Sequence, residues 1–396
     1  MAKVALIWEL GGDLGHLMPL TAIAKELMRR QHQPILLTRD TTRVLSVVGD
    51  TSIPYLQSPL WEAKSYDDLP PAVNFADTLL RRGYLEPDAL YSSVVAWDNT
   101  FAAIDAECLI FDHAPTAQLA ARGIEVPKLL IGSSFSVLPR KSPFPRFAYW
   151  EKHNAHNKRL LDTEKRCVRT ANEILNATGK PKISALCDLY DCDEQFIRTL
   201  PEFDVYGERD DATYVGPLLD HSLGETPRWP SSDGPKIFAY LKPHYKYLDF
   251  ILTVLGRLNA SVCAYVPSLP PQFIKKYQTG GVTFSTKPLA LKSVASAADF
   301  AISHAGVGTT NVFAEAGVPQ FLLPMQMEQT INSRRLADAG LGLYFPLHDP
   351  PQFLQKLFQQ FFSDTTLKES ANHWGAEHQA LPNQVAMICN RIEHYL

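Results

Sequence analysis

DFAISHAGVGTTNVFAEAGVPQFLLP, residues 299–324, decides the fold. An apolar run reaches His304, a loop carries Gly306 and Gly308, and Thr309 and Thr310 open a helix that Gly317 closes just before Val318 and Pro319. A strand feeding a helix through a glycine loop is half of a βαβ unit, so a parallel sheet covered by helices is expected. Glycines let the backbone approach a ligand, and the first helical turn offers unpaired N–H groups with a partial positive charge, which suits a diphosphate. The threonine hydroxyls and His304 add hydrogen-bonding capacity. The spacing is not G-x-x-x-x-G-K-[ST] and no lysine follows, which disfavours a nucleoside triphosphatase.

The same alternation runs outward in both directions. Upstream, KVALIW (3–8) leads through glycines into HLMPLTAIAKELMRRQHQP (16–34), with helical apolar spacing, and then ILLTRD (35–40). AECLIFDHAPTAQLAARGIEVPKLLIGSS (106–134) repeats strand, helix and strand, its first strand ending near Asp112. After residue 235 come KIFAYL, the helix YLDFILTVLGRLN, SVCAYV, GVTFS and the helical LALKSVASA, before the opening stretch itself. Pro217, Pro227, Pro230 and Pro235 crowd a polar segment between these halves. The expected organisation is an α/β chain with a first αβα domain over 1–215, a linker over 216–235, a second over 236–375, and a terminal helical segment over 376–396.

With 396 residues the chain is long enough for two domains. Lysine plus arginine total 38 against 42 acidic residues, a formal charge of −4, so no global positive field exists to hold nucleic acid. Apolar residues at 45% and charged residues at 20% describe a chain that buries a core. No uncharged apolar run reaches the roughly 18 residues of a membrane helix, and Glu9 interrupts the opening stretch too early for a signal peptide, so a cytoplasmic protein is expected. Six dispersed cysteines show no C-x-x-C or zinc spacing.

HAGVGTT, AGVP, PMQMEQTINSRRL and AGLGL, within residues 304–343, together resemble the donor-site signature of family 1 glycosyltransferases with the GT-B fold. GGDLGHLMPLTAIAKEL (11–27) is similar to that family's N-terminal loop and first helix. The resemblance implies two Rossmann-like domains facing a cleft, with a last helix crossing back to the first domain. It implies an inverting, metal-independent transfer of a hexose from a UDP- or dTDP-sugar to a hydroxyl of a small apolar or lipid-like acceptor, with the nucleotide sugar as co-substrate and no other cofactor. Carried over by position, His304, Gly306, Gly308, Thr309 and Thr310 surround the diphosphate, and Glu328 and Gln329 stand where an Asp-Gln pair binds sugar hydroxyls. Asn332, one turn on, supports rather than contacts.

His16 matches the family's general base and Asp112 the acid that orients it. The chemistry stands independently of the resemblance: a hydroxyl attacking an anomeric carbon must lose a proton near neutral pH, which suits imidazole. A carboxylate on the far nitrogen fixes the tautomer and stabilises the imidazolium. His113 is expected to point elsewhere.

Three departures stand out. The ribose-clamping glutamate is replaced by Val312, with Glu315 three residues on, a pattern of relatives that use dTDP-sugars. Thr286 occupies the place of an aromatic that stacks on the base, and Phe284 reads as a core residue. KIFAYLKPHYK replaces a glycine-serine turn, bringing Lys242 or His244 within reach of phosphate or into a solvated turn. The segment 140–160 mixes Arg140, Lys141, Arg146, Lys152, Lys158 and Arg159 with Phe144, Phe147, Tyr149 and Trp150. It either covers an apolar acceptor, with peripheral membrane contact, or is an ordinary amphipathic excursion. His153 and His156 lack a third metal ligand nearby. The competing functions are a non-catalytic nucleotide-binding auxiliary protein and a sugar-nucleotide epimerase.

Overall fold

A computed structural model describes all residues except 13, 50–51, 62–65, 67, 152–156, 219–223, 279–280, 347–348 and 379–382. The chain forms two compact units, Met1–Leu218 with Pro382–Leu396, and Leu219–Leu381.

Unit 1 holds seven strands: β1 (Lys3–Trp8), β2 (Gln33–Thr38), β3 (Tyr55–Gln57), β4 (Cys108–Asp112), β5 (Lys128–Gly132), β6 (Glu194–Ile197) and β7 (Thr213–Tyr214). They lie in the order β3-β2-β1-β4-β5-β6-β7, all parallel. The first helix, Leu14–Arg29, is the crossover from β1 to β2. Every residue of β4 is buried, the unbroken apolar run of a strand covered on both faces. The strand order reverses between β1 and β4, and in open parallel sheets ligands bind outside the carboxyl ends of strands at such a point.

Unit 2 repeats the plan with β8 (Lys236–Tyr240), β9 (Ser261–Tyr265), β10 (Val282–Ser285), β11 (Phe300–Ser303), β12 (Gln320–Leu322) and β13 (Gly342–Tyr344). The parallel order is β10-β9-β8-β11-β12-β13, reversing between β8 and β11. Side-chain alternation splits its core in two. Ile237 and Ala239 face a cluster with Ile302, Phe321 and Phe358, while Phe238 joins Cys263, Ala301 and Phe313 on the other side. Phe284 packs against the first cluster.

The terminal helix Gln384–Tyr395 lies in unit 1, as its apolar spacing and the family resemblance imply. Ile388, Cys389 and Ile392 are buried, and Arg30 pairs with Glu393 at 2.6 Å while Arg391 pairs with Glu194 at 2.9 Å. Of the segment expected to return, residues 376–378 remain with unit 2.

The proline-rich segment expected as a linker over 216–235 mostly belongs to unit 2, because its backbone finds partners there. Glu225 bridges Leu289, Ser261 Oγ donates to the Pro230 carbonyl at 2.6 Å, and Trp229 packs on the core. Gly224 has φ +106, and a Cβ there would meet the backbone of Leu289 and Ala290. Proline and polarity at this point mark a strap that hugs the sheet.

Candidate active site

In unit 1 the register pairs Trp8 with Asp112 across β1 and β4, so the strand ends stand side by side. His16, on the first turn of the helix after β1, reaches back between them. Its Nδ1 lies 3.0 Å from Asp112 Oδ1, and its ring stacks on Trp8 with centroids 5.4 Å apart and planes at 16°. Asp112 is fully buried, whereas the His16 side chain is 14% exposed, which leaves Nε2 as the atom a reactant can meet. Burial alone would raise the Asp112 pKa, but the neighbouring His16 imidazole and the Arg198 guanidinium outweigh it and hold the carboxyl below its ordinary value.

Two glycines shape this dyad. Gly11 has φ +89, and a Cβ there would collide with His16 Nε2, so the loop backbone passes where a side chain would displace the imidazole. A Cβ on Gly132 would run into Ser136 Oγ and come within 3.2 Å of Asp112 Oδ1.

Arg198, the residue after β6, was not singled out from the sequence. Its Nη2 donates to Asp112 Oδ2 at 3.0 Å and its Nη1 to the Gly15 carbonyl at 2.9 Å. One guanidinium thus holds both the second carboxylate oxygen and the residue before His16. Arg198 follows directly on the carboxyl end of β6, the strand beside the edge strand β7, and no motif in the sequence marks it.

His113 does not point away. Its backbone is left-handed at φ +49, its carbonyl accepts the Leu10 amide at 2.9 Å, and its ring lies between His16 at 5.9 Å and Phe75 at 5.8 Å. Burial and the neighbouring cations press its pKa down to about 3, so it is neutral, with Nε2 buried and unpartnered among the described residues.

In unit 2, His304 ends β11 beside the loop that leaves β8. It is a strut rather than a free phosphate donor. Nδ1 lies 2.7 Å from the Leu323 carbonyl and Nε2 accepts the Lys242 amide at 2.8 Å, so both ring nitrogens are engaged with backbone. Burial lowers its pKa to about 4, in keeping with a neutral ring that donates on one side and accepts on the other. Lys242, by its backbone, is tied directly to the glycine loop.

The expected cradle is the turn into the helix Val307–Glu315, whose N-cap is Gly306. Gly306 has ordinary dihedrals, φ −66, and Ala305 takes the left-handed conformation at φ +57. The glycines therefore serve by leaving room: a Cβ on Gly306 or Gly308 would meet nothing within 4 Å. Thr310 is fully buried, and its hydroxyl contacts the Gly306 and Val307 carbonyls at 3.2 and 3.1 Å and accepts Asn332 Nδ2 at 2.9 Å. It holds the loop instead of facing a ligand. Asn332 also donates to the Ala305 carbonyl at 2.9 Å, the supporting role its position implied. Thr309, Glu328 and Gln329 complete the set; Gln329 Oε1 accepts the Met325 amide at 2.8 Å, which leaves its Nε2 as the donor.

Residues 283–393 match the family model of the erythromycin biosynthesis protein CIII-like C-terminal domain. The NDP-glycosyltransferase YjiC of Bacillus subtilis (strain 168) is 37% identical over 71 residues, 18% of each chain. The vancomycin aglycone glucosyltransferase of Amycolatopsis orientalis is 46% identical over 50 residues, 13% of this chain and 12% of that one. The matched stretches thus span under a fifth of these relatives' lengths. Across whole chains, the glycotransferase of kitacinnamycin superposes with a TM-score of 0.70 at 17% identity, covering 100% of this chain and 99% of that one. The spinosyn rhamnosyltransferase SpnG, solved with thymidine diphosphate, does so with a TM-score of 0.67 at 14% identity, covering 99% and 100%. The likeness across whole chains shows the GT-B fold.

Thr286 is exposed just past β10. Val312 is core, and Glu315 sits at the far end of its helix with Oε1 buried and unpartnered among the described residues. Burial lifts its pKa to about 7 against the Lys292 charge. In the segment 140–160, Phe144 and Phe147 are core residues, and Arg146 and Arg159 pair with Glu151 and Asp77 at 3.0 and 2.9 Å. Arg140 donates to the Cys192 carbonyl at 3.2 Å. Those arginines are spent within unit 1, while Lys152, His153 and His156 lie outside the described residues. No described helix is long and apolar enough to cross a membrane.

Proposed function

We propose that the protein transfers a hexose, with inversion, from a dTDP- or UDP-sugar to a hydroxyl of a small natural-product-like acceptor. The observation that carries this is the dyad: a buried carboxylate on Nδ1 of a partly exposed imidazole, at the point where the sheet of unit 1 reverses. In the proposed step His16 Nε2 takes the acceptor's proton as its oxygen bonds to C1 of the sugar. The bond from C1 to the diphosphate oxygen breaks, and that oxygen leaves with the electron pair. Asp112 stabilises the imidazolium through Nδ1.

The donor reading rests on unit 2. The unpaired amides of Val307, Gly308 and Thr309, at an open helix start, suit the leaving diphosphate, and charge met this way calls for no metal. Glu328 and Gln329 are assigned to sugar hydroxyls. Thymidine diphosphate is bound by SpnG, which was also solved with spinosyn aglycone. Together with Val312 in place of a ribose carboxylate, this favours dTDP as the donor base. Six free thiols suit a reducing compartment, and we assign the protein to the cytoplasm.

Incubation with dTDP- and UDP-hexoses and a panel of hydroxylated acceptors tests the proposal. A glycoside of inverted anomeric configuration, formed in step with free nucleoside diphosphate, is expected. Sugar-nucleotide isomers formed without an acceptor would replace it with the epimerase reading, and nucleotide binding without turnover with the auxiliary one.

A further inference from the structure

A run of ring contacts leads from His16 to the turn that follows β5. By ring centroids His113 lies 5.9 Å from His16, Phe75 lies 5.8 Å from His113, and Phe135 lies 5.8 Å from Phe75 at 66°. Phe75 is fully buried, whereas His113 and Phe135 are half-buried, so two partly open rings are seated on one closed ring. Phe135 also stacks on the buried Phe147 at 5.0 Å and 26°.

Backbone contacts hold each ring where it is. His113 takes the left-handed conformation at φ +49, which disfavours side chains, and its carbonyl accepts the Leu10 amide at 2.9 Å. Phe75 opens the helix Phe75–Leu79, whose N-cap Asn74 accepts the Asp77 amide at 3.2 Å and donates Nδ2 to the Phe144 carbonyl at 3.1 Å. Phe135 sits in a turn where the Ser136 and Val137 amides both donate to the Ser133 carbonyl at 3.0 Å. That turn runs against the dyad, since a Cβ on Gly132 would meet both Ser136 Oγ and Asp112 Oδ1.

An acceptor must set its hydroxyl on His16 Nε2, so the skeleton that carries the hydroxyl begins one ring contact from His113. Rings meet offset or edge-on with centroids about 4.5–7 Å apart, and such pairs add to the apolar area they bury. Burial keeps the His113 imidazole neutral, so it presents a ring and not a second cation beside the base. We propose that unit 1 takes an aromatic acceptor, its ring against His113 and Phe135 and its ring-borne hydroxyl at His16 Nε2. This narrows the apolar acceptor implied by the family resemblance, and it rests on the transferase reading. The hydroxyl proton passes to Nε2, the phenolic oxygen bonds to C1 of the sugar, and the diphosphate leaves with the electron pair of the broken C1–O bond.

The test is binding to the full-length protein without donor, with 2-naphthol titrated beside decahydro-2-naphthol, which keeps the skeleton and hydroxyl but has no π-face. Ring contacts at His113 and Phe135 predict about fivefold or more tighter binding of the naphthol. Phe135→Leu, which keeps an apolar side chain, should cut that ratio to about half or less, and Phe135→Trp should preserve it. His113→Asn, which tolerates the left-handed backbone, is read the same way if Phe135→Leu does not fold. Equal binding of the two compounds, no binding of either, or a ratio that survives both Phe135→Leu and His113→Asn would overturn the proposal. Sugar transfer is read separately with dTDP- and UDP-hexoses. Transfer to aliphatic hydroxyls alone would also overturn it, whereas an aromatic preference in binding with no transfer to any acceptor would refute the transferase reading and still support the aromatic site.

Discussion

Arg198→Gln removes the cation that holds Asp112 from behind while keeping a hydrogen-bonding side chain of similar reach. In the wild type, Arg198 Nη2 sits 3.0 Å from Asp112 Oδ2, and His16 Nδ1 sits 3.0 Å from Oδ1. At an effective dielectric of about 20, unit charges about 4 Å apart attract by roughly 4 kcal/mol. Desolvation of the guanidinium offsets much of this, and Asp112 keeps His16, so a net destabilisation of about 2–3 kcal/mol is expected. For a unit of this size that lowers the melting temperature by roughly 4–12 °C. The functional effect differs in kind. Without Arg198 the Asp112 pKa must rise, because a cause of its depression is gone. The acidic limb of kcat/KM should then move to higher pH, and kcat at neutral pH should fall about 10–100-fold, as for other partners that orient a reacting group, with little change in donor KM. Arg198→Lys should restore the pH limb in part, since an ammonium supplies the charge without the two-pronged hold on Gly15 and Asp112. A Gln variant that melts lower but keeps the wild-type pH profile and kcat would show Arg198 to be structural and refute the reasoning.

Gly11→Ala should cost more activity than stability, because the methyl group falls on His16 Nε2 and the left-handed backbone resists it; circular dichroism beside turnover checks this. In unit 2, Thr310→Val should destabilise by about 1–3 kcal/mol, since it strips a buried hydroxyl from Asn332 and two carbonyls, whereas Thr309→Val should chiefly weaken nucleotide binding; chemical denaturation and nucleotide titration separate them. Glu315 has a folded pKa raised from 4.5 to about 7, so its contribution is present below the lower value and lost as pH rises through the upper one. Glu315→Gln should therefore gain stability over wild type as pH rises across that window, which melting curves at several pH values would show. His304→Ala should weaken nucleotide binding by loosening the Lys242 and Leu323 backbones, so His304→Gln, able to donate and accept, should recover more of it than His304→Phe.

Much of the architecture was readable because parallel strands buried on both faces leave unbroken apolar runs, as in KVALIW and CLIFD, and each is followed by a helix of clear period. The dyad was readable because both members sit where strands end, one in a glycine-bracketed loop. Contacts made across long stretches of sequence were not. Arg198 meets Asp112 over 86 residues, and nothing local marks it. His113 was set aside on the expectation that neighbours diverge, but a left-handed turn after β4 swings its ring beside His16. His304 and Thr310 have the right composition for a phosphate site, yet their hydrogen bonds are spent on backbone and on Asn332. Proline and polarity in 216–235 read as a linker because a segment strapped onto its own unit has the same composition.

The measurement that reaches the central claim most directly is the turnover of His16→Ala against wild type, at saturating dTDP- or UDP-hexose and acceptor, with the product's anomeric configuration determined. The account predicts an inverted glycoside from the wild type and a loss of about 10²–10⁴-fold in kcat for the variant, with nucleotide binding intact. Near-normal turnover by His16→Ala, or a product with retained configuration, would contradict it.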